Sequence, residues 1–294
     1  MKLATCQVGN AGEEACILTE HGILPLSSVN RRAGTDWPTE LFRIIGEGRL
    51  DAMEQWYAAE KGSWMRELAI PPEDARFAPL YRNPRKIWGI GFNYVEDPSM
   101  LLSRPPDEEP VGFMKPDTTI IGHLDTILIP RQSNRTTAEA ELAIIIGKRA
   151  NHVSPDEALD HVFGYATAND LSARDLQMRT PQWLLGKTCD GFCPLGPYLV
   201  TADEIPDPNQ LWIRCTVNGE LRQNSNTSDM IFYCKEIISY LSRHMTLVPG
   251  DVILTGTPEG VILGYPPEKQ VYLKPGDMVT VEIEKLGALT NRMV

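Results

Sequence analysis

The segment AEAELAIIIGKRA, residues 138–150, carries two carboxylates into the head of an apolar run. The residues from Leu142 to Ile146 include no polar side chain, which predicts a strand buried on both faces rather than one with a solvated face. Residues two apart on a strand point the same way and lie about 6.6 Å apart along the chain. Glu139 and Glu141 are therefore expected to point at one place inside the fold.

Two ionised carboxylates that meet in a buried place repel each other, by roughly 4 kcal/mol at 4 Å and an effective dielectric of 20. A solvated strand face, the ordinary alternative, would avoid this cost but does not fit the apolar residues that follow. A divalent cation or a shared proton would relieve the repulsion. The pattern favours a metal site.

A third carboxylate, Asp170, follows the apolar stretch FGYATAN. Asp170 could instead cap a helix that we predict for residues 172–179, with Ser172 as the competing cap. On such a helix Asp170, Arg174 and Gln177 would share one face, which is polar where a core face would be apolar. Oxygen ligands without sulfur or imidazole select Mg²⁺, Mn²⁺ or Ca²⁺ over zinc or copper.

Two lysines lie in apolar surroundings, where lysine is uncommon. Lys187 lies in WLLGKTCDGFCPLGP, and Lys115 lies in VGFMKPDTT. Three carboxylates around a dication would leave an uncompensated negative charge. A buried lysine would balance that charge.

Two glycine-rich stretches lack residues that nucleotide-binding loops need. GIGFNY has Gly89 and Gly91, but Tyr94 stands where the dinucleotide fingerprint has its third glycine. LTGTPEGVILG has no lysine where a phosphate-binding loop needs one. The second stretch is better interpreted as a tight turn after a strand, whose backbone N–H groups between Thr255 and Gly260 can hold a carboxylate.

Composition and charge exclude several classes of partner. The 294 residues carry a formal net charge of −11, which argues against nucleic acid or an anionic membrane as the main partner. No apolar run approaches the ~20 residues that span a bilayer, and the first residues do not resemble a signal peptide. The six cysteines are scattered and the five histidines form no zinc-binding pair. We therefore expect a cytoplasmic protein with reduced thiols that acts on a small molecule.

The chain is predicted to be α+β and mostly β, in two parts. Residues 1–75 have three short strand patterns followed by two helical ones, typical of a small α+β domain. Prolines predict an extended linker at 76–84. Residues 85–294 carry many short β-branched or aromatic segments between turn signals, which predicts a mixed, barrel-like β-roll with helices outside. Helices are expected at 155–160, 172–179 and 229–244.

The order of these motifs resembles the fumarylacetoacetate hydrolase family. The motifs are E-x-E (Glu139 and Glu141), NDLSARDLQ with Asp170, LGKTCDGFCPLGP, VNGELRQNSNTSDMIF and LTGTPEGV, from about residue 85 to the end. The resemblance implies a mixed β-roll that is often dimeric, so a homodimer is expected. It also implies Mg²⁺ or Mn²⁺ held by Glu139, Glu141 and Asp170, with Lys187 as the active-site lysine.

The same resemblance assigns further residues to the site. Lys115, Arg174 and Gln177 match positions that line it. Gly256 and Thr257 fall in the turn that contacts the substrate. Family members act on 2-oxo acids and 1,3-dicarbonyl compounds: they hydrolyse acylpyruvates, decarboxylate oxaloacetate, or isomerise oxo-dienoates. Breaking a C–C bond beside a keto group leaves an enolate, which the ion and the active-site lysine would stabilise.

One departure from the family concerns the group that activates water. Hydrolytic members place His, and Glu three residues later, just after an Asn-Tyr pair. The corresponding text here is FNYVEDPSML, with Asp97 and Met100 at those positions. Glu96, Asp97, Glu108 or Glu109 could serve as the general base instead, although a carboxylate with a pKa of about 4 is a weak one.

We therefore expect a metal-dependent C–C hydrolase, since hydrolysis is the family's main activity. Decarboxylation or isomerisation is the alternative, because these reactions need no activated water and no histidine lies between residues 22 and 122. A binding protein that kept the metal pocket without turnover is the second alternative. The intact ligand set argues against it.

Overall fold

The computed structural model describes residues 1–9, 12–60, 62–95 and 108–294. The strands are β1 (Lys2–Gln7), β2 (Glu13–Thr19), β3 (Gly22–Pro25), β4 (Arg76–Phe77), β5 (Ile87–Gly91), β6 (Val111–Lys115), β7 (Ile120–Ile121), β8 (Thr126–Ile127), β9 (Thr136–Thr137), β10 (Ala140–Ile146), β11 (Val162–Asn169), β12 (Ser172–Ala173), β13 (Cys193–Thr201), β14 (Trp212–Val217), β15 (Glu220–Asn226), β16 (Val252–Leu254), β17 (Met278–Ile283) and β18 (Gly287–Met293). The α-helices are α1 (Leu26–Ala33), α2 (Leu41–Glu47), α3 (Leu50–Ala59), α4 (Trp64–Leu68), α5 (Arg174–Gln177), α6 (Leu184–Lys187) and α7 (Cys234–His244).

The larger sheet has β10 near its middle. Its strand order is β3-β2-β1-β13-β11-β10-β16-β5-β6, with β4 paired to β1 and β7 paired to β13. Every residue of β10 is buried. Leu142, Ile144 and Ile146 enter one hydrophobic core, and Ala143 and Ile145 enter another. The prediction of a strand covered on both faces is therefore confirmed.

The second large sheet covers one of these faces. Its order is β15-β14-β17-β18-β8. Apolar residues of β14 and β17, such as Ile213 and Val281, share a core with Leu142 and with Ile237 of α7. Neither sheet closes on itself in the described part of the chain. The α+β, strand-rich class expected from the sequence is confirmed, as two large open sheets and the two-stranded sheet of β9 and β12, with helices packed outside.

The N-terminal strands extend the larger sheet. β1 pairs antiparallel with β13, so Leu3 lies opposite Leu199. Leu24 of β3 and Ile44 of α2 share a core with Ile145 of β10. The larger sheet and one of its cores thus include residues from both predicted parts of the chain. The division into residues 1–75, a linker at 76–84 and residues 85–294 stays a prediction.

The three helices expected at 155–160, 172–179 and 229–244 are all shorter than the sequence pattern indicates or are replaced by a 3-10 turn, and α5 covers only part of 172–179. The helix expected at 229–244 begins at Cys234, with Tyr233 at its N-cap position. Before it, Thr227–Asp229 form a separate 3-10 turn that Asn226 caps. The segment 155–160 gives only a 3-10 turn, at Ala158–His161. No helix in the described ranges is both long and apolar enough to cross a membrane.

Candidate metal centre

Three buried carboxylates meet where β10 lies beside β11. Glu139 immediately precedes β10, Glu141 lies within it, and Asp170 immediately follows β11. Their exposed fractions are 6%, 2% and 0%. One carboxylate oxygen of each lies within 4.8 Å of the other two. Because metal–oxygen distances are about 2.0–2.1 Å for Mg²⁺ and 2.3–2.6 Å for Ca²⁺, oxygens this close can share one ion.

Backbone hydrogen bonds keep two of these residues together. The Asp170 N–H donates to the Glu139 carbonyl at 2.9 Å. The Glu139 N–H donates to Oδ1 of Asn169 at 3.0 Å. The antiparallel ladder, which sets Ala140 opposite Asn169, continues this contact into the sheet.

The expectation that Asp170 lies on a helix with Arg174 and Gln177 is wrong. Residues 172 and 173 form β12, which pairs with β9, and α5 begins only at Arg174. Ala173 occupies the N-cap position, without a side-chain cap. A long-range strand pair therefore replaces the first helical turn, and Asp170 is not a helix cap.

Three buried cations surround the carboxylates. The Lys187 Nζ donates to Glu139 Oε2 at 2.6 Å and to Asp170 Oδ2 at 2.5 Å. The Lys115 Nζ donates to Asp170 Oδ1 at 2.5 Å. The guanidinium of Arg174 donates to Glu139 Oε1. In the described part of the site, three cations thus stand against three carboxylates.

Glu141 is the carboxylate that has no ion-pair partner among the described residues. Its Oε2 accepts the N–H of Gly256 at 2.7 Å. Burial, and then the charges of Asp170 and Glu139, raise the pKa of Glu141 well above its usual range. A buried carboxylate beside two others fits a bound cation, because a cation would offset both effects.

The other charged groups of the centre are stabilised in their ionised forms. Burial opposes the charge of Glu139, but Arg174 and Lys187 outweigh it and lower the pKa of this carboxyl to about 2. Burial likewise opposes the charge of Lys187, but Asp170 and Glu139 outweigh it and raise the pKa of the ammonium above its usual value. At neutral pH the centre therefore presents a carboxylate and an ammonium side by side.

The turn after β16 holds the carboxylate of Glu141. Gly256 has a φ of +95°, and a Cβ there would lie 2.7 Å from the Cβ of Asn93. Glycine is therefore needed for this N–H to reach Glu141. The sequence predicted that this turn would hold a carboxylate, and the structure provides one from the chain itself. Substrate contacts by Gly256 and Thr257 stay predictions.

The remaining residues expected to line the site are in contact with its charged groups. Gln177 Oε1 accepts from Arg174 at 2.9 Å, and Arg174 Nε donates to Thr137 Oγ1 at 3.0 Å. Arg174 is thereby fixed on three sides. Its role and that of Lys115 in substrate binding stay predictions.

Two buried amides that the sequence analysis did not single out hold loops around the centre. Gln223 donates to Thr257 Oγ1 at 2.8 Å and accepts the N–H of Ala140 at 2.9 Å. Asn93 donates to the carbonyl of Thr255 at 2.6 Å. Gln223 lies in a strand whose residues other than Leu221 are polar, so no periodic signal distinguishes it from its more exposed neighbours.

The expected lid residues are described only in part. Glu96, Asp97 and Met100 lie outside the described residues, so the catalytic roles of Glu96 and Asp97 stay predictions. Glu109 accepts a hydrogen bond from the Tyr240 hydroxyl at 3.4 Å.

Residues 86–294 match the family model of the fumarylacetoacetate (FAA) hydrolase C-terminal domain. A relative from Xenopus laevis, named as a mitochondrial oxaloacetate tautomerase, is 51% identical over 220 residues. That alignment covers 74% of this chain and 67% of the relative.

Two solved structures resemble the whole chain. The fumarylacetoacetate hydrolase of Exiguobacterium antarcticum superimposes with a TM-score of 0.82 at 32% identity, covering 100% of this chain and 99% of that one. The maleylpyruvate hydrolase of Sphingobium sp. SYK-6, solved with manganese(II) and pyruvate, gives 0.78 at 30% identity, with the same coverage. The likeness extends through the N-terminal strands as well as the part that holds the carboxylates.

Proposed function

Because the chain belongs to the fumarylacetoacetate hydrolase family, we propose that it is a divalent-metal-dependent tautomerase of oxaloacetate or a closely similar 2-oxo dicarboxylate. The name of the X. laevis relative, which is 51% identical, supports this reaction. The proteins similar to this chain include enzymes named as tautomerases and hydrolases. The family alone leaves the reaction type open. The charge of the site bears on the substrate, and the absence of the histidine that hydrolytic members use bears on the reaction.

The balance of buried charge is the observation that carries the proposal. Three cations stand against three carboxylates, so a bound dication would give the centre a net charge of +2. Oxaloacetate has two carboxylates and would neutralise this charge. A substrate with one carboxylate would leave a positive charge unpaired in a buried site, which is costly.

The donor set fits Mg²⁺ or Mn²⁺, with Ca²⁺ as a third candidate, because it offers only carboxylate oxygens. The manganese(II) named in the maleylpyruvate hydrolase structure supports Mn²⁺. Such an ion would supply Lewis-acid polarisation of the substrate's keto group. Glu139, Glu141 and Asp170 are the residues that we propose to hold it.

Lys187 would stabilise the negative charge that develops on the keto oxygen as a proton leaves the neighbouring carbon. Its ammonium is held beside Glu139 and Asp170 and is charged at neutral pH. Tautomerisation moves one proton between carbon and oxygen and consumes no water. It therefore does not need the histidine that hydrolytic members use, and Glu96 or Asp97 is the proposed proton carrier.

Hydrolysis of a C–C bond, the reaction first expected from the sequence, is the second candidate. The name of the Sphingobium neighbour favours it. Hydrolysis is placed second because water attack requires a general base with a pKa near neutrality, and Asp97 stands where hydrolytic members have histidine. Decarboxylation of oxaloacetate is a third outcome that the same assay distinguishes.

The test follows enol-oxaloacetate by its ultraviolet absorbance in the presence of Mn²⁺, with Mn²⁺ alone as the background. We expect the protein to accelerate decay of the enol without release of CO₂. Acylpyruvates and maleylpyruvate are assayed in parallel for acid products. Cleavage of these compounds without acceleration of the enol decay would show that the protein is a hydrolase and not a tautomerase. Release of CO₂ from oxaloacetate would show that it is a decarboxylase.

The homodimer and the cytoplasmic location are kept as proposals. Size-exclusion chromatography with light scattering would test the first, and fractionation of cells that express the full gene product would test the second.

A further inference from the structure

The two glycines of GIGFNY allow two aromatic rings to pack against β5. Gly89 lies opposite Phe113 in the antiparallel pair of β5 and β6. A Cβ at Gly89 would lie 2.3 Å from Cζ of Phe113, and a Cβ at Gly91 would lie 2.4 Å from Cζ3 of Trp183. Any larger residue at either position would displace a ring, so the motif that does not fit a nucleotide-binding loop has a packing role.

The Phe113 ring lies beside the ammonium of Lys187. The Nζ atom is 4.8 Å from the ring centroid, within the range of a cation–π interaction. An ammonium has three N–H donors, and Glu139 and Asp170 accept from this one. Lys187 is only 3% exposed, so the ring takes a place that water would otherwise fill.

Trp183 holds the Phe113 ring in position. It immediately precedes α6, four residues before Lys187, so both side chains lie on one side of this helical turn. Its ring centroid lies 5.9 Å from that of Phe113. Phe92, which has a φ of +55°, packs edge-on against Trp183 at 5.2 Å.

We propose that Phe113 is a positioning residue that holds the Lys187 ammonium through the face of its ring, and that Gly89 serves this contact. The oxygens that accept from Lys187 belong to two of the proposed metal ligands, so a bound ion competes with the lysine for them. An aromatic ring is not a ligand for a hard cation. The ring is therefore a partner that Lys187 keeps whether or not an ion is bound.

The consequence for the reaction rests on the proposed function, whereas the contact itself does not. If Lys187 stabilises charge that develops in the transition state, loss of its positioning should lower kcat more than it raises KM. Packing of the ring alone predicts no such selective effect.

The experiment replaces Phe113 site-specifically by phenylalanines with one, two and three fluorine atoms. Fluorine withdraws electron density from the ring face, so it weakens a cation–π interaction stepwise, while the ring keeps its shape and becomes more apolar. We expect the melting temperature of the metal-free protein to fall with each fluorine, by about 2–4 °C in total. The value of kcat for enol-oxaloacetate should fall in the same order.

The same series in a Lys187→Met background is the matched control. The fluorine dependence should disappear there, because no cation faces the ring. A melting temperature that does not fall in the wild-type background, or that falls equally in the Lys187→Met background, would overturn the proposal. Melting needs neither metal nor turnover, so an absence of tautomerase activity would refute the proposed function and leave this result decisive on Phe113.

Discussion

Replacing Glu141 by Gln should stabilise the metal-free protein and remove its response to metal. One oxygen of Glu141 lies within 4.8 Å of oxygens of Glu139 and Asp170. Two charges at that distance repel by roughly 3 kcal/mol at an effective dielectric of 20. Burial and these two carboxylates raise the pKa of Glu141, and the charge of Lys187 offsets part of their effect. We therefore expect the free energy of unfolding to rise by about 1–3 kcal/mol, because Gln carries no charge and can still accept from Gly256.

Thermal unfolding in chelator and in increasing Mn²⁺ measures both effects. At about 2 °C per kcal/mol for a chain of this size, the metal-free variant should melt about 2–6 °C above the wild type. Wild-type protein at Mn²⁺ a hundredfold above its Kd should gain about 2.7 kcal/mol, or about 5 °C. The variant should gain far less, because it lacks one charged ligand.

Glu268→Gln, which removes the same charge from an exposed glutamate of the 3-10 turn Pro267–Lys269, is the control. It should change neither melting temperature. If metal-free Glu141→Gln melts below the wild type, or responds fully to Mn²⁺, then Glu141 is not an uncompensated metal ligand.

Three further outcomes are expected. Lys187→Met should lower kcat for enol-oxaloacetate by about 10²–10³-fold, because it removes a donor to the developing negative charge. Lys187→Arg should recover part of this lost activity. An unchanged kcat in Lys187→Met would show that the lysine has no part in the mechanism. Excess EDTA should abolish turnover and added Mn²⁺ should restore it, with circular dichroism unchanged throughout; full activity in the chelated protein would contradict metal dependence. His123 Nδ1 accepts the Thr290 N–H at 3.0 Å, and burial lowers the pKa of His123 below its usual 6.5. The stability that neutral His123 contributes is therefore complete above about pH 6.5 and is lost as the pH falls below that value. The melting temperature should drop more between pH 7 and 5 in the wild type than in His123→Asn. Equal drops would show that this histidine does not titrate with unfolding.

The local part of the centre could be predicted because it depends on short-range periodicity. A continuous apolar run predicts a strand buried on both faces, and the two-residue period of that strand places Glu139 and Glu141 on one side. The helix start near Asp170 could not be predicted, since β12 forms by pairing with β9, more than thirty residues earlier in the chain. Capping propensity alone favoured a longer helix.

Contacts between distant segments left weaker signals in the sequence. Lys115 reaches Asp170 across 55 residues, and only its apolar surroundings and its match to a site-lining position of the family pointed to it. Gln223 lies 83 residues from Ala140, whose N–H it accepts, and its polar strand gives no reason to expect burial. The positions of both side chains depend on which strands pair and in which register, and composition does not determine this.

A crystal grown with Mn²⁺ gives the most direct test of the central claim, that three buried carboxylates hold one hard cation. The anomalous difference map should contain one strong peak at about 2.0–2.6 Å from an oxygen of each of Glu139, Glu141 and Asp170. A saturated crystal with the manganese bound elsewhere, and with these three side chains paired only to Lys115, Arg174 and Lys187, would contradict it.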